Sequence, residues 1–271
     1  MSRGRVQEPV MRYAAVVLDL DGTLLNSHKQ VSDRNLSALL QCHGLGMRMI
    51  FATGRPPRAV RRFLPEELLE IGSFIYYNGA MISCKHTGIS RHEPIKAHLT
   101  AAILDYCLRC NPGLDISLEV EDQWFSLKEY DEATLMRVKG HPIVTPLEEL
   151  RKHAATKILF SGDMDIPPLQ TRFGSEINIL VTDQGQLVQI SSSRASKEAA
   201  LLVLCHEMGI TPDQVIVFGD DMNDLGLFHT CGWSVAMSNG VEELKQLSDE
   251  ITDTHDHDGV AVVLERIALS K

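Results

Sequence analysis

The chain has 271 residues, enough to bury a large core as one big domain or two smaller ones. Its 44% hydrophobic and 23% charged residues are ordinary for a soluble protein, and no apolar run approaches the ~20 residues that span a bilayer. A formal charge of −10 argues against a nucleic-acid or membrane-surface binder, while a small anion held at a local positive site stays open.

Residues 1–11 are polar, carry Arg3 and Arg5, and lack the apolar stretch of a secretory signal, so they read as a loose extension. A first buried strand is expected over 14–19. It runs from Ala15-Val16-Val17-Leu18 straight into Asp19, with Asp21 two positions on and Gly22 next. Ionised Asp is rarely buried unpaired, because desolvating it is costly. Positions i and i+2 of an extended chain face the same side, so Asp19 and Asp21 can reach one site while Leu20 points away. Such a pair suits a hard cation such as Mg2+, a reacting group, or both. The plainer alternative is a hairpin turn at Asp21-Gly22 with Asp19 as a solvated strand end, and this segment alone does not choose.

Ser32 is the expected N-cap of a helix through His43. A second buried strand, 47–53, leads into Gly54-Arg55-Pro56-Pro57. A helix over 58–63 and a third strand over 73–77, ending in Asn78-Gly79, follow. This β-α-β-α-β order predicts a parallel sheet covered by helices. The pattern then changes to paired short strands over 80–84, 116–120, 124–127, 157–161, 177–181 and 187–190, with helices near 98–109 and 147–153. The β-α rhythm returns with a helix from Lys197 to Met208 stopped by Gly209. A strand over 215–218 then enters Gly219-Asp220-Asp221, a strand over 233–237 follows, and helices start at Val241 and Gly259. The expected fold is α/β: a Rossmann-like doubly wound parallel sheet from 12–80 and 191–271, split by an inserted α+β cap domain over 81–190.

Six cysteines lie mostly in apolar surroundings, as reduced thiols of a cytoplasmic protein would. Cys107-x-x-Cys110 sits in a helical apolar pattern without a second ligand pair and reads as core. His255-Asp256-His257-Asp258 reads as a polar connector before the last helix.

Four segments fall at strand ends or helix starts of the split sheet: Asp19/Asp21, Thr53-Gly54, Lys197, and Gly219-Asp220-Asp221-Met222-Asn223-Asp224. The carboxylates of Asp19, Asp21 and Asp220 can hold Mg2+, while Thr53, Lys197 and backbone N–H groups can hold a phosphate. Phosphoryl transfer needs positioning and charge neutralisation. It also needs a nucleophile, and no Ser or Cys signature supplies one. A carboxylate can, through a reactive acyl-phosphate, with a second carboxylate as acid and then base. Each segment alone is weak. The four in this order, each at an element boundary, form one constellation.

With these four segments the chain resembles the haloacid dehalogenase superfamily of phosphohydrolases, in its Cof-type branch with the larger α/β cap inserted after the third strand (subfamily IIB). Tyr77-Asn78-Gly79-Ala80, Val235-Ala236-Met237-Ser238-Asn239-Gly240 and Asp258-Gly259-Val260-Ala261 are also family-like. The resemblance implies Asp19 as nucleophile and Mg2+ ligand, and Asp21 as general acid/base with its backbone carbonyl on the metal. It implies Thr53, Gly54 and the Leu20 N–H as phosphate holders, and Lys197 as the group that neutralises phosphate charge. Asp220 would be the third protein ligand, Asn223 a phosphate contact, and Asp224 an outer-shell group or the partner that orients Lys197. Asp21 would then start protonated, its carboxyl raised by like-charge repulsion, beside an ionised Asp19.

The chain departs from that family where Glu198 follows the motif lysine in place of the usual Gly, and where Asp221 replaces a common small residue beside the expected metal. The expected activity is hydrolysis of a small phosphorylated metabolite such as a sugar phosphate, pyridoxal phosphate or a flavin-precursor phosphate. A phosphomutase or phosphotransferase on the same scaffold is the alternative, and a non-catalytic binding protein is a third reading. No nucleic acid or membrane partner is expected, and the protein is read as a monomer or small homo-oligomer. Arg91, His92, Trp124, Lys128 and Arg137 are candidates to line the lid over the leaving group.

Overall fold

The computed structural model describes residues 13–132, 135–136, 140–182 and 186–269. Its centre is β1 (Ala15–Leu18), four residues that are all fully buried. Val16 and Leu18 enter one core while Ala15 and Val17 enter another, because successive strand side chains point to opposite faces and both faces are covered. β2 (Arg48–Ala52) and β12 (Val215–Gly219) flank β1 in parallel, β3 (Gly72–Tyr76) follows β2, and β13 (Trp233–Met237) and β14 (Glu250–Thr252) follow β12. Antiparallel β4 (Met81–Cys84) and β5 (Ile89–His92) extend the far edge, so the order is β14-β13-β12-β1-β2-β3-β4-β5. The helices Asp33–Gly44 and Gly259–Leu269 pack on one face through Ala38, Leu39, Cys42, Val260 and Leu264. The helix Lys197–Met208 packs on the other through Ala200, Leu201 and Leu204. This is the doubly wound sheet expected from the sequence.

Helix ends follow their sequence signals. Ser32 accepts from Asn35 N–H at 3.1 Å, while Asn35 Oδ1 accepts from Ala261 N–H at 2.9 Å and so caps the last helix as well. Gly209 closes Lys197–Met208 at φ +68, a left-handed conformation that costs glycine nothing. The 255–257 stretch is a polar 3-10 turn, and Asp258 turns into the last helix at φ +58, as the connector reading required. All six cysteines are free, and Cys107 lies in the second core.

The second sheet, order β10-β11-β9-β6-β7-β8, is built from β6 (Asp115–Val120), β7 (Gln123–Ser126), β8 (Ile143–Val144), β9 (Lys157–Ser161), β10 (Ile177–Thr182) and β11 (Leu187–Ser192). Its own core is formed with Ala97–Cys110 and Ile166–Phe173. The strand expected over 80–84 and counted with the insert is β4, which pairs with β3, and β5 pairs with β4; the second sheet begins at Asp115. β5 (Ile-Ser-Arg-His) was missed because it is half exposed and lacks an apolar run. Ile166–Phe173 was missed because Pro167-Pro168 reads as a loop, although Pro fits the first helical turn. The helix expected over 147–153 is a single turn, Leu147–Leu150.

Candidate active site

Parallel pairing of β1 with β12 sets Leu18 beside Phe218, so Asp19 and Asp220 emerge together at the carboxyl edge of the sheet. Ligand sites of open parallel sheets lie at that edge. Asp19 is buried, and its backbone N–H donates to Phe218 O at 3.1 Å. The wholly buried Lys197 donates to Asp19 Oδ1 at 2.6 Å and to Asp224 Oδ1 at 2.7 Å. Asp224 Oδ2 in turn accepts from the N–H groups of Asp220 and Asp221, at 3.2 and 3.4 Å. Thr23 Oγ1 donates to Asp220 Oδ1 at 2.9 Å.

Asp19, Asp220 and Asp224 each offer a carboxylate oxygen within 4.8 Å of the others. One ammonium bonds two of these three carboxylates, Asp19 and Asp224. Burial drives the Asp19 carboxyl well above the ordinary range against the pull of Lys197, and Asp224 and Asp220 add to the rise. Burial also pushes Asp220 up to about 6. Burial opposes the Lys197 charge, but Asp19 and Asp224 outweigh it and hold the ammonium above the usual lysine range. Excess negative charge on hard oxygen donors fits a divalent cation such as Mg2+. Glycines make the approach possible. A Cβ on Gly22, at φ +85, would lie 2.2 Å from Asp220 Oδ2, and one on Gly219 would lie 2.7 Å from the Asp224 carboxylate.

Asp21 differs from expectation. Its carboxylate accepts from Arg55 Nε at 2.5 Å, Arg55 Nη2 at 2.6 Å and Lys29 Nζ at 2.6 Å, and is not one of the three clustered acids. Partial burial works to raise it, but the Arg55 and Lys29 bonds prevail and hold it below the usual range. Its carboxylate therefore stands apart from the three clustered acids and is held low, where the sequence reading expected it raised by repulsion. Two cations face it, where the sequence showed only neighbouring aspartates.

The loop after β2 carries the expected phosphate holders. Thr53 is buried, and its Oγ1 accepts from Arg55 N–H at 3.1 Å, which leaves the hydroxyl proton to donate elsewhere. Thr53 O accepts from Asn78 N–H at 2.9 Å. The Asn78 carboxamide lies 3.2–3.3 Å from where a Gly54 Cβ would sit, and Asn223 Nδ2 donates to Asn78 Oδ1 at 3.2 Å. Asn223 Oδ1 is buried with no partner among the described residues. Leu20 is fully buried, and its carbonyl accepts from Leu25 N–H at 2.8 Å.

Sequence reasoning missed the groups that bring the second sheet to this loop. Arg58 makes a two-pronged ion pair with Glu119 of β6, at 2.6 and 2.7 Å. Tyr77 Oη donates to Glu121 O at 2.6 Å. Lys157 of β9 donates to Gly54 O at 2.9 Å. Burial pulls the Lys157 ammonium down to about 8, with Glu119 pulling the other way. Only the family-like Tyr77-Asn78-Gly79 run signalled any of this. Among the lid candidates, Arg91 pairs with Glu207, Lys128 with Asp115, Trp124 stacks on Tyr130, and a His92 ring nitrogen shares a 2.8 Å hydrogen bond with Thr156 Oγ1. Arg137 lies outside the described residues.

Both departures have structural partners. Glu198 packs over Gly226, where a Cβ would lie 2.3 Å from its Cδ. Asp221 is exposed and caps the turn Met222–Asp224 by accepting from Met222 N–H at 2.7 Å.

The family model for haloacid dehalogenase-like hydrolase matches residues 16–264, nearly all of both sheets and every site residue above. The chain belongs to that family. Within the haloacid dehalogenase-like hydrolases it falls in the Cof-type phosphatase branch. It is 27% identical to the Bacillus subtilis 5-amino-6-(5-phospho-D-ribitylamino)uracil phosphatase YcsE, over 97% of this chain and 99% of the relative. Phosphatase YwpJ of the same organism is 26% identical over 93% and 99%. A crystal structure of a haloacid dehalogenase-like hydrolase from Bacteroides thetaiotaomicron is 30% identical, covers 94% of this chain and 99% of its own, and superposes at a TM-score of 0.82. A Thermotoga maritima structure is 27% identical, with coverage of 94% and 97% and a TM-score of 0.85.

Proposed function

We propose that the protein is a Mg2+-dependent phosphatase that hydrolyses small phosphomonoesters through an aspartyl-phosphate on Asp19. The observation that carries this reading is the buried Asp19 carboxylate at the end of β1, bonded to Lys197 and clustered with Asp220 and Asp224. Sugar phosphates, pyridoxal phosphate and flavin-precursor phosphates are the substrate classes to test. Flavin-precursor phosphates are favoured by the activity named for YcsE.

In the first step an Asp19 oxygen bonds to phosphorus in line, the ester P–O bond breaks, and the leaving oxygen takes a proton from Asp21. In the second step Asp21 takes a proton from water, whose oxygen bonds to phosphorus. The Asp19–phosphorus bond breaks, releasing inorganic phosphate. The ionised, doubly paired Asp21 suits the second step as it stands. The first requires Asp21 to gain a proton and leave the Arg55 and Lys29 clasp. Lys197 holds Asp19 in place and balances charge on the phosphoryl oxygens, with Thr53, Gly54, Asn223 and the Leu20 N–H around them. The carboxylates of Asp19 and Asp220, with the Asp21 carbonyl and Asp224 behind them, would hold Mg2+, which supplies neutralisation of the phosphate charge when bound.

A panel of phosphomonoesters assayed for phosphate release, with and without Mg2+, tests the reading. Release without an activating bisphosphate separates hydrolysis from mutase chemistry. Asp19→Asn is expected to cut turnover at least ~1,000-fold with an unchanged melting temperature. Turnover near the wild-type rate would overturn the mechanism.

A further inference from the structure

The carbonyl of Gly54 is held by the second sheet rather than by the sheet that carries the loop. Lys157 reaches across from the first position of β9 and donates to Gly54 O at 2.9 Å and to Gln189 Oε1 at 2.8 Å. Gln189 is aimed by its other end, since Nε2 donates to Thr182 Oγ1 at 3.1 Å. The ammonium lies 5.4 Å from the Tyr77 ring centroid, over a side chain that is itself fully buried. Glu119, the cross-strand neighbour of Lys157, is already engaged by Arg58, so a buried cation bonded to two neutral acceptors is an expensive way to fill space, and an apolar side chain would pack there at less cost.

The placement has a specific effect on the loop. Gly54 has no side chain to fix its orientation, and a glycine backbone is the freest in the chain. Its two flanking peptides are nevertheless both pinned. Asn78 N–H holds the Thr53 carbonyl at 2.9 Å on one side. On the other, Lys157 holds the Gly54 carbonyl, and Arg55 N–H is held by Thr53 Oγ1 at 3.1 Å. One pin comes from the parallel sheet and the other from the insert. The same insert edge is docked by Arg58 on Glu119 and by Tyr77 Oη on Glu121 O.

We propose that Lys157 is a positioning residue for phosphate, clamping the Gly54 peptide so that the loop is competent only when the insert is seated on the core. The inference rests on the reading of Thr53 and Gly54 as phosphate holders. Lys157 acts through the loop and touches neither the leaving group nor the nucleophile. Phosphate is gripped alike in the ground and transition states, so losing the clamp weakens binding more than it slows the bound substrate.

The experiment uses the full chain with Mg2+, p-nitrophenyl phosphate as substrate and inorganic phosphate as competitive inhibitor, on wild type, Lys157→Met and Thr53→Val. Lys157→Met is expected to raise both KM and the phosphate inhibition constant tenfold or more, with a smaller fall in kcat and no loss of melting temperature. A phosphate constant within twofold of wild type in Lys157→Met, beside a loss in Thr53→Val, overturns the role of Lys157 and leaves the site reading standing. A raised KM with an unchanged phosphate constant also overturns it, because that pattern marks a contact to the leaving group. Phosphate constants unchanged in both variants overturn the site reading, and the inference with it. Should Lys157→Met not fold, Arg58→Met loosens the same seat with Lys157 in place. A three- to tenfold rise in the phosphate constant then supports the clamp, and no change overturns it.

Discussion

Gly22 shows how much one residue can carry at this site. It turns the chain at φ +85 after Asp21, and the space its missing Cβ leaves is filled by the Asp220 carboxylate at 2.2 Å. Gly22→Ala adds left-handed strain of about 1–2 kcal/mol and pushes Asp220 from its place. Mg2+ activation is expected to require ten- to a hundredfold more metal, read from a titration of turnover. Lys157 carries a different signature. Its native value of about 8 lies below the 10.5 of an unperturbed lysine, so between those pH values the unfolded chain holds the extra proton. Stability therefore rises with pH across that window and is lost as pH falls through 8, by on the order of 3 kcal/mol in full. The melting temperature of wild type relative to Lys157→Met is expected to climb from pH 8 to pH 10. A flat difference would show that Lys157 is not desolvated. Asp19, Thr53, Lys197 and Asp220 were legible because each ends or begins an element within a short motif. The clasp on Asp21 was not, since Arg55 stands 34 positions away and nothing local says that it turns back.

At the scale of elements, the turn after β3 concentrates the strain. Tyr77 and Asn78 sit at φ +52 and +54, followed by Gly79 at φ +106. Left-handed backbone at a bulky residue costs of order 1–3 kcal/mol and persists only where the surroundings enforce it. Here Tyr77 engages the insert, Asn78 engages Thr53 and Asn223, and Gly79 abuts the helix that starts at Lys197. A Cβ on Gly79 would lie 2.1 Å from Ser196 O, the N-cap of that helix. Gly79→Ala is expected to destabilise by about 2 kcal/mol and also to lower kcat, because the helix start carries Lys197. Reduced melting with intact kcat would show that Lys197 keeps its place. The strands of the parallel sheet were legible as apolar runs because both their faces are buried. Edge strands β5 and β14, partly exposed and only four and three residues long, offered no such run.

For the whole molecule, the acidic cluster joins strand ends from opposite halves of the chain, with Asp19 before the insert and Asp220 after it. A cation held there binds the folded state alone, so it stabilises the fold by mass action. At a hundred times its dissociation constant, Mg2+ is expected to add about 2.7 kcal/mol, seen as a higher melting temperature. Chelation should remove both that gain and turnover, and Asp220→Asn should lose the shift. A melting temperature indifferent to Mg2+ would count against a metal on these carboxylates.

The amino-acid sequence by itself determined the doubly wound sheet, the family, the strand ends at which the acids stand and the helix start that carries the lysine. Those features depend on local apolar runs, caps and short motifs, which are written in neighbouring residues. Only the tertiary structure decided that Asp21 is clasped by Arg55 and Lys29, and that Lys157 reaches Gly54 from 103 positions away. Charge partners of that kind are chosen by the docking of one sheet on another. Electrostatic contact depends on distance in space, and spacing along the chain does not record it.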